Sequence, residues 1–299
     1  MQFTKPPFTI QQQVQQLISR GLTVDDEELA AYYLSHINYY RLGTYWWSFI
    51  DDHKTHKFRA GTTFQLVLDL YVFDRELRLL VLDAIERIEI AVRTQWAYHL
   101  AHHGGPFVHL DRSLFNSKEF DYDGFMAAVH QELGRTTEPN IKRQMDKYDE
   151  ATPAVWICCE LLSFGWLSKC VDGLARRSLK MNIADHFQFN ETVFCSVLHH
   201  LTMVRNICAH HARLWNRDFT ITMKLPRRGP QQLLSSLNLE RPKELYNTLA
   251  ILCHFMNVIA PDHHFKQRLI HLTKIHPSAN PKAMGFPEQW ELLPLWKST

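Results

Sequence analysis

A stretch of about forty residues constrains the fold more than any other part of the sequence. From about Thr63 to His103 apolar residues recur at helical spacing, and the pattern ends where Gly104, Gly105 and Pro106 follow. On a helical wheel with about 100° per residue, one face of the stretch is apolar and consists of Leu77, Val81, Ala84, Ile85, Ile88 and Val92. The stretch predicts one long helix or a close pair of helices.

Charged residues form a stripe beside that apolar face: Arg75, Arg78, Glu86, Glu89 and Arg93. Alternating signs at this spacing are typical of ion pairs between residues four apart on a solvated face, such as Glu89 with Arg93. Alternatively, the stripe faces a helix of the active site and orients its basic groups. The pattern favours the solvated face and leaves the second interpretation open.

Helix signals dominate the rest of the chain, and the alternation typical of strands is scarce. A helix is predicted to open at Thr23, where acids fill the first turn, and another at Thr152 and Pro153. Asn190 is predicted to cap a further helix, and "PKELYNTLAILCHFMNVIA" reads as an amphipathic helix stopped by Pro261. The sequence therefore predicts an all-α bundle.

Composition excludes some classes of protein. The chain has 299 residues, of which 45 % are hydrophobic, which is ample material for a buried core. Its longest apolar run, "AVWICCELLSF", is interrupted by Glu160 well short of the roughly 20 residues that a membrane span requires. Six cysteines lie in or beside apolar runs, with no CxxC pair and no secretory signal, so we expect reduced core cysteines in a cytoplasmic protein.

The segment "VRNICAHHARLWNR", from Val204 to Arg217, concentrates the polar chemistry of the chain. The formal net charge is only +2, so a nucleic acid would have to be held by a local patch. Between Arg205 and Arg228 six cations stand against the single anion Asp218. On a continuous helix, an arc of about 140° would hold Arg205, Asn206, Ala209, His210 and Arg213. Phosphate is the natural ligand of such a face.

Arg205 and His210 have the residue types that RNA cleavage without a metal requires. A histidine can take a proton from the attacking 2′-hydroxyl or give one to the leaving 5′-oxygen, and a guanidinium can stabilise the charge of the transition state. Asn206 would orient the scissile group or His210. One histidine supplies half of the acid–base pair, so a dimer that brings two such helices together would complete it. In the alternative interpretation the Arg-x4-His spacing arises by chance and these side chains satisfy buried partners or cover a surface.

Several segments together resemble one family, the Abi-like proteins (AbiD/AbiF type) of bacterial abortive-infection systems. The matching segments, in family order, are "INYYRLGTYWWSF", "DLYVFDRELRLLVLDAIERIEIAVRT", "ELLSFGWLS", "VRNICAHHARLWNR" and "MGFPEQW". That family looks like part of the HEPN superfamily, whose nuclease members carry Arg-x4-6-His; here Arg205, Asn206 and His210 match.

The resemblance implies a metal-independent endoribonuclease toxin that acts as a homodimer in defence against phage, with a small non-coding RNA antitoxin as a partner. It also implies one Abi-like all-α domain over residues 1–299. We divide this domain into an aromatic-rich helical N-terminal extension (1–60), a HEPN-like core (61–225) and a helical C-terminal extension (226–299).

Further residues are candidates for binding RNA. His211, Arg213 and Arg217 extend the motif; His211 lies about 100° round a helix from His210, so we expect it outside the pocket of His210. Lys224, Arg227 and Arg228 lie in a loop that is solvated by default but near enough to the motif in sequence to track phosphates.

The aromatic stretch "YYLSHINYYRLGTYWWSF" could stack on unpaired bases, because Arg41 lies among its rings. Dense aromatics are more often core packing, which we favour, while Tyr39, Tyr40 or Arg41 remains a candidate RNA contact.

No metal or other cofactor is predicted, because the histidine doublets lack the spacing of known chelating motifs. Two alternative functions stay open. One is a non-catalytic RNA-binding module that sequesters a small RNA or senses infection. The other is a purely structural helical partner protein.

Overall fold

The computed structural model describes residue 2 and residues 6–297. Within that part the chain forms thirteen α-helices, six 3-10 helices and one small antiparallel sheet, which confirms the predicted all-α class. The α-helices are α1 (Ile10–Ser19), α2 (Glu27–His36), α3 (Tyr39–Trp46), α4 (Phe64–Gly104), α5 (Tyr122–Arg135), α6 (Pro139–Lys147), α7 (Val155–Leu161), α8 (Phe164–Asp172), α9 (Arg177–His186), α10 (Glu191–Ala209), α11 (Gln231–Leu234), α12 (Leu245–Ile259) and α13 (Phe265–Ile275). The 3-10 helices are Trp47–Phe49, Val108–Leu110, Arg112–Leu114, Pro277–Ala279, Pro281–Met284 and Trp290–Leu292.

Helix α4 is the central helix of the bundle, and more than half of the other α-helices pack on it. It is one continuous helix of 41 residues, so the single-helix alternative is confirmed, and its length is about 60 Å. The Thr63 hydroxyl accepts a hydrogen bond from the Leu66 amide at its start, and Gly105 turns the chain away at φ 84°. Every residue of the predicted apolar face is buried. Helices α3, α7, α9, α10, α12 and α13 all contact α4.

Helix α12 forms the interior of the bundle. Its residues from Leu245 to Met256 are all buried, including the polar Asn247, Thr248 and His254. Each of these finds a partner; the His254 ring, for example, binds the Phe187 carbonyl over 3.0 Å. The predicted end before Pro261 is right, whereas the helix begins only at Leu245.

Two predicted helix starts are wrong. Helix α2 begins after Asp26, whose carboxylate accepts from the Leu29 amide, while Thr23 exchanges backbone hydrogen bonds with Thr62 and Phe64 and ties the N-terminal segment to the start of α4. Helix α7 begins at Val155 rather than at Pro153. In both places, the threonine lies near a helix start but makes tertiary hydrogen bonds instead of capping it.

The charged stripe of α4 is only partly solvated. Arg75 and Glu86 are exposed, and the predicted pair between Glu89 and Arg93 forms, with 2.5 Å between the atoms. Arg78, in contrast, is buried and pairs with Asp74. The interpretation as a solvated face is therefore wrong for Arg78.

A short hairpin follows α3. Strands β1 (Ile50–Asp52) and β2 (Lys57–Phe58) pair antiparallel, and their turn brings the rings of His53 and His56 to 4.7 and 5.7 Å from the Trp47 ring. None of the helices described is both long and apolar enough to cross a bilayer. All six cysteines are buried, as expected of core residues. The division of the chain at residues 60 and 225 stays a prediction.

Candidate active site

The motif lies at the C-terminal end of α10. Asn190 caps the start of this helix, as predicted, because its side chain accepts from the Val193 amide over 2.9 Å. The helix ends at Ala209 instead of continuing to Arg213, as the predicted face requires. The expectation of a continuous helical face is therefore wrong beyond His210.

A Schellman motif ends α10. His211 adopts the left-handed conformation, with φ 57°, its amide donates to the Cys208 carbonyl, and the Ala212 amide donates to the Ile207 carbonyl over 2.9 Å. Glycine usually occupies the left-handed position of this motif. A histidine there turns the chain sharply and separates Arg213 from the face of Arg205 and Asn206.

One buried carboxylate holds the chain that follows. The Asp74 Oδ1 accepts hydrogen bonds from the amides of Leu214 (3.0 Å) and Trp215 (2.6 Å). Its Oδ2 accepts from the Tyr45 hydroxyl (2.7 Å) and from the Arg78 guanidinium. Burial and the nearby Asp74 raise the pKa of the Tyr45 phenol, so that it remains a donor. Asp74 thereby joins α3, α4 and the chain from His210 to Arg217, which we call the motif loop.

Asp74 was not among the predicted site residues, although the sequence carries a signal for this junction. Asp74 is three residues before Leu77 and seven before Val81, so it belongs to the apolar face of α4. An acid in that position must be paired when it is buried.

An open cleft of about 860 Å³ lies between α3, the hairpin and the chain from His210 to Arg217. We call it the histidine cleft; it is lined by Arg20, Tyr39, Tyr40, Arg41, Gly43, Thr44, Tyr45, Trp46, Trp47, His56, His210, His211, Ala212, Arg213 and Arg217. Among these described lining residues are four arginines and three histidines but no acid. The cleft therefore attracts anions.

Five of the predicted RNA-site residues meet in this cleft: Arg41, His210, His211, Arg213 and Arg217. The expectation that His211 lies outside the pocket of His210 is wrong, because His211 has left the helix. The Arg41 Nη1 donates to the His211 carbonyl over 2.6 Å, and the Arg217 Nε donates to the Arg213 carbonyl over 2.8 Å. The first bond holds the loop against α3 and the second lies within the loop, while each guanidinium keeps other N–H groups.

His210 also borders a second, shallow surface. It shares that surface with Asn206, and the other lining residues are His199, Thr202, Met203, Ile207, Ala212 and Ile221. Arg205 lines neither depression; its Nη1 donates to the Asn206 Oδ1 over 3.4 Å. Burial raises the pKa of the Glu89 carboxyl on α4, and the nearby guanidiniums of Arg93 and Arg205 partly oppose this. The charge of Arg205 therefore acts on Glu89, a member of the charged stripe of α4.

Lys224, Arg227 and Arg228 lie at the opposite end of α10 from the motif. They line a cleft of about 1400 Å³, which we call the basic cleft, together with residues such as Arg177 and Glu191. The chain after Asp218 runs back along the helix: the His200 ring binds the Ile221 carbonyl (2.7 Å), and the Lys224 amide donates to Ser196 (2.9 Å). Helix α10 spans about 27 Å from Glu191 to Ala209. The expected proximity of this loop to the motif is therefore wrong within one chain.

Several other histidines are structural. His200 and His109 are buried, and burial lowers the pKa of each to about 4. His109 binds the buried hydroxyl of Thr152 over 3.0 Å. In the described part of the chain, no group of three or more histidine, cysteine or acidic residues is arranged to hold a metal ion.

The fold and the site define a class of protein. It is an all-α protein in which the end of a core helix and the chain after it present histidines and arginines to an open cleft, and none of the described residues that line this cleft is an acid. A family model described as "Abi-like protein" matches residues 32–216, which are more than half of the chain and include α3, α4 and the motif. The chain belongs to this Abi-like family and is thereby an abortive-infection type of protein. Comparison with curated proteins and with solved structures finds no match.

Proposed function

We propose that this Abi-like protein is a HEPN-type endoribonuclease toxin that cleaves RNA by attack of the 2′-hydroxyl and uses no metal ion. The observation that carries the proposal is the position of His210. Its side chain is exposed at the end of α10, one turn after Asn206, and it borders a cleft with four arginines and no acid among the described lining residues. A titratable group beside a concentration of guanidiniums is what phosphodiester cleavage requires.

In this mechanism His210 moves the proton and the arginines handle the charge. The imidazole takes the proton of the 2′-hydroxyl as that oxygen attacks phosphorus, or gives one to the 5′-oxygen as it leaves. Arg205, oriented by Asn206, binds the phosphate, and Arg213 and Arg217 hold its neighbours. The products are a 2′,3′-cyclic phosphate and a free 5′-hydroxyl.

A second copy of the chain would supply the other half of the acid–base pair. The surface that Asn206 and His210 share is otherwise largely apolar, since Met203, Ile207 and Ile221 line it. An apolar surface beside a polar motif is suited to face its own copy, because pairing buries it and brings two motifs together. A homodimer therefore belongs to the proposal, as do a cytoplasmic location and an inhibitory small RNA that occupies the cleft.

The test is cleavage of total RNA by the purified protein in EDTA. We expect cleavage by the wild type, with 2′,3′-cyclic phosphate ends, and a loss of about a hundredfold or more in Arg205→Ala and in His210→Ala. The same variants should lose toxicity in cells while circular dichroism remains that of the wild type.

Matched controls are Arg143→Ala on α6 and His271→Ala on α13, which remove exposed residues of the same types elsewhere. Cleavage that survives in both motif variants would contradict the proposal. RNA binding without any cleavage by the wild type would instead support the non-catalytic RNA-binding module.

A further inference from the structure

Two aromatic side chains at the histidine cleft are exposed although their neighbours are buried. Tyr40 is 76 % and Trp47 is 49 % exposed, whereas Tyr45 and Trp46, from the same segment, are 1 % and 4 % exposed. Leaving large rings in water forgoes the free energy of burying them. A ligand with flat apolar faces would recover that free energy.

We infer that the histidine cleft takes single-stranded RNA, whose unpaired bases stack on Tyr40 and Trp47 while its phosphates contact the arginines of the cleft. This inference rests on the proposed function, because it names the form of RNA that the same site accepts.

Tyr40 is held as a ridge between two depressions. It lines the histidine cleft and also a neighbouring cleft of about 630 Å³, whose other lining residues are Pro6, Pro7, Phe8, Gln13, Gln16, Arg20 and Tyr39. The Tyr39 ring packs edge-on against Tyr40 with 5.9 Å between centroids, and the Arg20 guanidinium donates to the Tyr39 hydroxyl over 2.9 Å. The exposed ring therefore rests on a fixed neighbour.

Trp47 is supported by two histidine rings of the hairpin. The His53 ring stacks on it with 4.7 Å between centroids and 29° between planes, and His56 meets it edge-on. A ring held in this way loses little conformational freedom when a base stacks on its exposed part, so it favours binding.

The spacing of the two rings favours an open strand over a helix. Trp47 is the residue that caps the C-terminal end of α3, still with helical backbone angles, and Tyr40 precedes it by seven residues, so their backbones lie about 10 Å apart along the direction of the helix. Stacked bases of a nucleic-acid strand are only about 3.4 Å apart. Neighbouring bases that each stack on one of these rings must be splayed apart, which only an unpaired strand allows.

The arginines of the cleft would bind the phosphates of the strand whose bases stack on the two rings. Arg20, Arg41, Arg213 and Arg217 line it together with the two rings. Aromatic platforms interleaved with cations along a groove are typical of proteins that bind single-stranded nucleic acid. In a duplex the flat faces of the bases are covered, so the rings would contribute nothing to affinity.

The experiment measures binding of an RNA that cannot be cleaved. A single strand of about twelve nucleotides, with 2′-O-methyl groups on every sugar, and the same strand in a duplex are titrated by fluorescence anisotropy. We expect the single strand to bind about tenfold tighter or more than the duplex, and Tyr40→Ala and Trp47→Ala each to weaken its binding about tenfold. Tyr40→Phe should retain the wild-type affinity, and the salt dependence should not change in any of these variants.

The matched controls are Tyr148→Ala and Trp156→Ala, because these rings are 50 % and 51 % exposed outside the cleft. Equal or tighter binding of the duplex, or unchanged affinity in Tyr40→Ala and Trp47→Ala, would overturn the inference. Since the probe cannot react, its binding does not depend on activity. Failure to cleave ordinary RNA, with this binding pattern intact, would overturn only the proposed nuclease.

Discussion

At the scale of a residue, His211 has the backbone conformation that the site most depends on. Its φ of 57° belongs to the left-handed region, which costs a side chain with a Cβ about 1 kcal/mol or more. The same conformation turns the imidazole into the histidine cleft and presents the His211 carbonyl to Arg41. The residue is thus less favourable for the helix end than glycine but places a titratable group in the cleft.

The backbone cost can be measured directly. We expect His211→Gly to have a free energy of unfolding about 1 kcal/mol higher than His211→Ala in urea, because only alanine keeps the strain of a Cβ at positive φ. The hydrogen bond from Arg41 ends on the backbone carbonyl, so both variants keep it.

His210, with φ −88°, is the control. There the order should reverse, and alanine should be at least as stable as glycine. Equal stabilities of the two variants at residue 211 would contradict a left-handed helix end.

The sequence identified the motif residues but not how they are presented. Arg205, Asn206 and His210 were candidates because of their types and spacing. The helix end after Ala209 was not predicted, because the usual signal is a glycine or asparagine in the left-handed position. In this turn a histidine adopts that conformation instead. The common cleft of His210 and His211 was therefore not predictable from periodicity.

At the scale of an element, Asp74 on α4 determines where the motif loop lies. We expect Asp74→Ala to lower the free energy of unfolding by about 3–5 kcal/mol, because Arg78 is left as a buried, unpaired cation and two amides lose their acceptor. Hydrogen exchange at the amides of Leu214 and Trp215 should accelerate. Both effects are measurable, by urea unfolding and by exchange of the native protein.

The matched control lies on the same helix. Asp83 pairs with Arg87 and Arg268 at 3.5 and 3.6 Å, but its side chain is 39 % exposed. Because exposed pairs contribute little, Asp83→Ala should cost less than about 1 kcal/mol. A similar loss of unfolding free energy in Asp74→Ala and Asp83→Ala would contradict a larger contribution of the buried junction to stability.

Helix α4 could be predicted from the sequence, whereas the path of the chain after Asp218 could not. The length and apolar face of α4 followed from periodicity, because a helix of this length buries a regular stripe. The path after Asp218 did not, since it is set by tertiary bonds such as those from His200 to Ile221 and from Lys224 to Ser196. Nearness in sequence gave the wrong place for the basic loop because a chain can reverse within a few residues.

At the scale of the whole molecule, buried neutral histidines make the fold sensitive to acid. The carbonyl of Ile221 can only accept, so His200 carries its proton on Nδ1 and its Nε2 accepts from the Thr248 hydroxyl over 2.8 Å. The pKa of His200 and that of His109 are about 4, against an ordinary value of 6.5. The unfolded chain therefore binds protons at a higher pH than the native protein does.

We expect the free energy of unfolding to fall as the pH decreases from about 6.5 to about 4, by about 3 kcal/mol for each of these two histidines. The stability is fully present above this window, where both states hold neutral rings. Urea titrations across the window check the fall.

His200→Gln should make the fall smaller by about the share of one histidine, since glutamine can donate and accept without titrating. His271→Gln, at an exposed position, is the matched control for the substitution itself. An unaltered fall in His200→Gln would refute the assignment of acid sensitivity to this ring.

The junction at Asp74 also predicts where loss-of-function substitutions arise. The Asp74 carboxylate holds both walls of the histidine cleft, through Tyr45 on α3 and through the amides of Leu214 and Trp215 after the motif. Loss of this one side chain would therefore release both walls. For the toxin proposed above, substitutions that abolish toxicity would arise at Asp74 as readily as at the motif. Loss-of-function substitutions are then expected deep in α4, at residues that never touch a nucleic acid.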